Sequence, residues 1–77
     1  MVCNLTTLSI KEKATIVGFN CDEGLEKSFL EDGFLPGTQV CIDCISPFGG
    51  PIMCTLRDCK IALRRQDASA ITVQVTD

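Results

Sequence analysis

A chain of 77 residues with 45 % hydrophobic content is long enough for one domain and too short for two. Its net charge of -3, with only seven Lys and Arg, excludes a nucleic-acid-binding face, which needs concentrated positive charge. Four Phe with no Trp or Tyr leave a core that must be mostly aliphatic and thiol.

The first residues, Met1-Val2-Cys3-Asn4-Leu5, carry neither the basic n-region nor the apolar h-region of a secretory signal. No run approaches the roughly 20 apolar residues of a membrane span. The chain therefore reads as soluble and cytoplasmic, without direct membrane insertion. In that setting its six cysteines read as reduced thiols rather than as a disulfide framework. Leu5 and Leu8 are the apolar points of a polar arm and are expected to cover one end of the core. A charged approach, Lys11-Glu12-Lys13, leads into the first predicted strand at 14–19, rich in β-branched residues, with Ile16 inward.

A helix of about three turns follows, capped by Asn20 or Asp22. Leu25, Phe29 and Leu30 form its apolar face, with Cys21 at the edge. Gly33 ends it, because glycine enters the left-handed conformation without steric cost, and Phe34 falls where an apolar side chain folds back on the last turn. Pro36-Gly37 fits the centre of a type II turn.

The pattern then alternates. The second strand is predicted at 38–45, with Val40, Ile42 and Cys44 on the inward face and Cys41, Asp43 and Ile45 on the other. A loop of turn formers, Ser46-Pro47-Phe48-Gly49-Gly50-Pro51, leads to a third strand at 52–57, with Ile52, Cys54 and Leu56 inward. A tight connection at 57–60 precedes a fourth strand at 61–64, with Ile61 and Leu63 inward. A single helical turn at 65–69 and a cleanly alternating fifth strand at 71–75 complete the pattern, and Thr76-Asp77 end the chain with no tail. The whole chain, 1–77, reads as one all-β domain of about five strands, with one short helix between the first two. Curling that sheet into a small, partly open barrel disposes of its edges.

Chemistry finds little purchase. There is no His, and Gly49-Gly50 lacks the Lys and Ser/Thr that follow in a phosphate-binding loop, so no catalytic residue and no enzyme is predicted. In a regular strand the thiols of Cys41-x-x-Cys44 point to opposite faces, with Cys44 inward near Cys54. These three read as packing thiols rather than metal ligands. No structural metal or cofactor is expected, beyond weak or transient ferrous iron or zinc at Cys41, Cys44 or Cys54. Cys3 and Cys59 are expected to be the exposed thiols. Phe48 at its loop tip reads as a partner anchor or as a lid folded over the barrel mouth. Leu35, beside the Pro36-Gly37 turn, carries the same two readings. Arg57, Arg64 and Arg65 are candidates to meet an acidic patch on a partner.

Several spaced elements taken together resemble one family. Leu35-Pro36-Gly37-Thr38, then Ser46-Pro47-Phe48-Gly49-Gly50-Pro51-Ile52, then Ile61-Ala62-Leu63-Arg64-Arg65, then Ala68 and Ile71-Thr72-Val73, are similar to the bacterial FeoA family, from about Leu5 to Val75. These are small cytoplasmic accessory proteins of ferrous-iron transport. The resemblance implies an SH3-like barrel and a non-enzymatic adaptor. It also implies a partner, the FeoB membrane permease with its cytoplasmic G-domain, through which the chain would be membrane-associated. The high cysteine count departs from the family pattern. It supports an alternative on the same barrel, a cysteine-based metal or redox sensor.

Overall fold

Alternating apolar residues build strands here wherever a neighbouring ladder is available. The computed structural model describes residues 1–75; Thr76 and Asp77 lie outside them. Six strands form: β1 (Val2–Asn4), β2 (Lys13–Phe19), β3 (Gln39–Ile45), β4 (Ile52–Leu56), β5 (Cys59–Leu63) and β6 (Ile71–Val75). Two helices interrupt them, α1 (Glu23–Asp32) and the one-turn α2 (Arg65–Ala68), with a 3-10 turn at Leu5–Thr7. The sheet order is β1-β6-β2-β3-β4-β5, and every neighbouring pair is antiparallel. It does not close, so β1 and β5 are its edges.

The predicted polar arm is corrected at its start. Val2–Asn4 is a sixth strand, paired with β6 so that Cys3 stands opposite Val73. Three residues with a single β-branched member carry too little pattern to announce a strand; the free side of β6 supplies the ladder. Leu5 and Leu8 are buried, as expected of residues covering one end of the core. The core continues through Ala14, Ile16, Val40, Ile42, Ile52, Cys54, Ile71 and Val73. Each such aliphatic side chain, fully buried, contributes roughly 1.5–3 kcal/mol by leaving water.

Helix α1 begins where Asp22 accepts the Leu25 N–H at 2.8 Å; Asn20 instead donates its own N–H to the Ala70 carbonyl at 2.7 Å. The buried face is narrower than its three apolar residues suggest. Phe29 is buried and Leu25 packs at its margin, while Leu30 is exposed. Phe29 stacks on Phe19, with centroids 5.3 Å apart, and meets Phe34 edge-on at 5.9 Å.

The helix stop follows the sequence closely. Gly33 has φ 105°, and the Phe34 N–H reaches back to the Phe29 carbonyl at 3.0 Å, the six-to-one bond of a Schellman motif. The buried Phe34 ring supplies the accompanying apolar contact. Next, the Thr38 N–H closes a turn onto the Leu35 carbonyl at 3.0 Å with Gly37 at φ 92°, the type II signature. The Gly37 N–H donates to the Ile16 carbonyl at 2.7 Å, which ties this joint to β2.

Two strand boundaries differ from the pattern. β4 stops at Leu56 and β5 starts at Cys59, because Leu56 pairs with Cys59 across a two-residue turn, Arg57-Asp58. Arg57 takes φ 55° at the first of these positions. Positive φ there and not at the second is the pattern of a II′ hairpin, whose twist matches the flanking strands. Arg64 consequently falls outside β5 and takes the N-cap position of α2, in extended backbone and without a side-chain capping bond.

Candidate partner-binding surfaces

Ser46–Pro51 is short, pinned, and built against the ordinary preference of its residues. The Gly50 N–H donates to the Pro47 carbonyl at 3.2 Å, with Phe48 at φ 58° and Gly49 at φ 75° between them. Positive φ at both central positions is the type I′ geometry, which favours Asn, Asp or Gly at the first one. Here that position holds a phenylalanine. The residue is 103 % exposed, so its side chain does not fold over the sheet. The Ser46 N–H bonds the Pro51 carbonyl at 3.1 Å and closes the loop base. A methyl group on Gly50 would meet Ser46 Cβ at 2.7 Å, so this close approach requires glycine. Arg65 Nη2 donates to the Ser46 carbonyl at 3.0 Å and staples α2 to the loop.

The five partner candidates therefore separate into two groups. Phe48, Arg64 and Arg65 gather at the end of β4–β5 where Ile52 pairs with Leu63. There Arg64, Arg65, Gly49, Gly50 and Pro51 line an open groove of about 660 Å³. Leu35 and Arg57 lie at the opposite end, beside the 57–58 turn, and line a smaller groove of about 160 Å³ with Leu56 and Cys59. Five strand residues span about 17 Å, which sets the separation of the two groups. Leu35 is 45 % exposed. Arg65, held by Ser46, is a structural staple more than a free charge; Arg57 and Arg64 are exposed.

The cysteines correct the sequence reading. Ile42 stands opposite Cys54, yet Cys44 stands opposite Met53, so Asp43 is an extra residue in β3, a β-bulge. The bulge inverts the alternation beyond it. Cys44, expected inward, is exposed, and Ile45, expected outward, packs against the core. Asp43 accepts the Thr55 hydroxyl at 2.5 Å, a bond that holds the extra residue in place. Cys54 is buried as expected, its thiol against the Ile61 carbonyl at 3.5 Å. Burial, with smaller contributions from Asp43 and Cys41, pushes its pKa from 9.0 up to about 11. Cys59 and Cys44 are the exposed thiols, and Cys3 is half-buried in β1. Among the described residues no three His, Cys, Asp or Glu side chains are placed to hold a metal ion together, and no helix is long and apolar enough to cross a membrane.

The model of the FeoA domain matches residues 3–75. The chain belongs to the FeoA family. The family consists of small accessory domains associated with ferrous-iron transport. An FeoA-like protein of Clostridium acetobutylicum is 28 % identical, with a TM-score of 0.89 over 99 % of this chain and 88 % of its own. Iron(II) transport protein A of Clostridium thermocellum is 30 % identical, with a TM-score of 0.88 over 95 % of this chain and 45 % of its own. The zinc-complexed FeoA of Stenotrophomonas maltophilia, a prokaryotic SH3 domain protein, is 21 % identical, with a TM-score of 0.80 over 92 % of this chain and 88 % of its own. The mostly-β sheet with its helix is thus the small SH3-like fold of FeoA proteins. No curated protein sequence matches the chain.

Sequence reasoning missed two features of this FeoA surface. The positive φ at Phe48 had a signal, since Phe48-Gly49 between two strands occupies the place of an Asn-Gly hairpin turn. The shared face of Cys41 and Cys44 had none, because it depends on the register of the facing strand.

Proposed function

We propose that this FeoA protein is a non-enzymatic cytoplasmic accessory protein of ferrous-iron uptake, and that it docks on the FeoB permease and its G-domain through the 46–51 loop. The observation that carries this reading is Phe48. A fully exposed Phe forgoes roughly 1.5–3 kcal/mol of burial, and a left-handed non-glycine residue costs about 1–2 kcal/mol. Among the described residues no core contact offsets either cost, since Phe48 is fully exposed and takes no part in the core cluster. A partner pocket that takes the ring would recover the first. The loop is meanwhile rigid, held by the Ser46–Pro51 bond and by Arg65, so little ordering entropy is lost on docking. Arg64 orients the encounter by charge.

In this reading ferrous iron is the cargo of the transport system, not a resident of this chain, and the chain needs no cofactor. Metal analysis after anaerobic purification tests that point, and near-stoichiometric iron or zinc would contradict it. Docking is tested with Phe48→Asp. The variant should stay folded, melting no lower than wild type because Asp tolerates the left-handed backbone, and lose both capture of FeoB and support of iron uptake. Undiminished capture and uptake would remove the loop from the interface.

A further inference from the structure

We propose that β5 is an open edge on which an extended, acidic segment of the partner adds as a seventh strand. The idea deepens the docking reading and rests on it only for the identity of the partner; the edge itself stands on the topology.

The hydrogen-bonded neighbour of β5 is β4, and among the described residues no strand pairs with its other side. The two-residue turn makes Leu56 and Cys59 the closing pair of the hairpin, which exchange backbone hydrogen bonds. Alternation from that pair assigns the β4-facing bonds to Cys59, Ile61 and Leu63. The backbone N–H and C=O groups of Lys60 and Ala62 therefore point outward, and both residues are exposed. These unpaired groups are what a strand-addition ligand uses.

Charge selects the occupant. The chain is acidic overall, yet the stretch from Arg57 to Arg65 holds four of its seven basic residues, Arg57, Lys60, Arg64 and Arg65, against one acidic residue, Asp58. Lysine on an edge commonly blocks indiscriminate pairing. Here the same charges repel a second copy of β5 and attract an acidic strand, whose carboxylates would lie beside Lys60 as cross-strand neighbours. The other edge, β1, has only three residues and no basic side chain. The two grooves flank the ends of β5, about 660 Å³ beside Arg64 and about 160 Å³ beside Leu35. Phe48 and Leu35 then belong to one strand-length site rather than to two separate ones.

The experiment uses the full chain, isotopically labelled, and an acetylated octapeptide alternating Glu and Val, with a Lys-Val counterpart as control. The acidic peptide should slow hydrogen exchange at the Lys60 and Ala62 amides, and the basic one should not. Ala62→Pro removes an outward donor while sparing the β4 ladder, and proline is tolerated on an edge strand. It should weaken the acidic peptide about tenfold, the worth of one or two hydrogen bonds. Lys60→Glu should weaken it by a similar factor. Unchanged Lys60 and Ala62 amides at saturating acidic peptide would overturn the proposal. So would equal binding of both peptides, or protection of β5 that grows with the concentration of the chain alone. Failure to capture FeoB would count against the docking reading and not against this edge, which the peptide tests by itself.

Discussion

Cys41 and Cys44 face the same side of the sheet. Cys41 stands opposite Thr55 and Cys44 opposite Met53, which are alternate residues of β4, whereas a regular strand would have placed the two thiols on opposite faces. The bulge at Asp43 makes the difference. Thiol alkylation of the native protein reads this directly. Cys44 and Cys59 should react first, and Cys54 last, because burial both shields it and keeps it protonated. Mass spectrometry of early time points would contradict the register if Cys54 were labelled before Cys44. Zinc or ferrous iron that protects Cys41 and Cys44 together would favour a cysteine-based sensor on this barrel over a purely packing role for its thiols.

That bulge also marks where the sequence stops being legible. β4 and β6 follow their alternation throughout, β2 follows it up to its register shift after Ile16 and β3 up to the bulge at Asp43, and the helix stop at Gly33-Phe34 and the Pro36-Gly37 turn appear as written, since each is a local preference of the residues that form it. β1 and the start of β5 were not legible, because both are strands by virtue of a neighbour's free side rather than their own pattern. Asp43 is the same case: its Thr55 partner lies twelve residues away. The candidate surface was half legible. Phe48, Leu35 and the arginines could be named, but not their division between the two ends of β5, nor the attachment of Arg65 to Ser46.

Phe48 should cost the protein stability. Phe48→Asn places a residue that tolerates left-handed backbone at the first central position of the I′ turn. It should stabilise the fold by about 1 kcal/mol and raise the melting temperature by roughly 4–8 °C in a domain of this size. The same variant should lose docking. A melting temperature below wild type would contradict the strain assigned to this loop.

Gly33→Ala tests the helix stop. No atom lies within 4 Å of the added methyl, so its cost comes from backbone strain at φ 105° alone. The expected loss is about 1–2 kcal/mol, measured by denaturant unfolding with an unchanged slope. A loss under a few tenths would show that another turn geometry substitutes freely.

Alkaline pH should weaken the fold through Cys54. Its folded-state pKa is raised from 9.0 to about 11, so the unfolded chain releases this proton first as pH rises. Stability from this group is fully present below pH 9.0 and falls progressively towards pH 11. Cys54→Val keeps the volume close and removes the titration. Parallel decline of wild type and variant across that window would assign the alkaline loss to other groups.

The account turns on whether the ring of Phe48 enters a partner. The most direct measurement is the equilibrium binding of the purified chain to detergent-solubilised FeoB, comparing wild type with Phe48→Asp. A buried aromatic anchor is worth on the order of 2 kcal/mol or more, so the variant should bind at least roughly 30-fold more weakly with its fold intact. Equal affinities for the two proteins would contradict it.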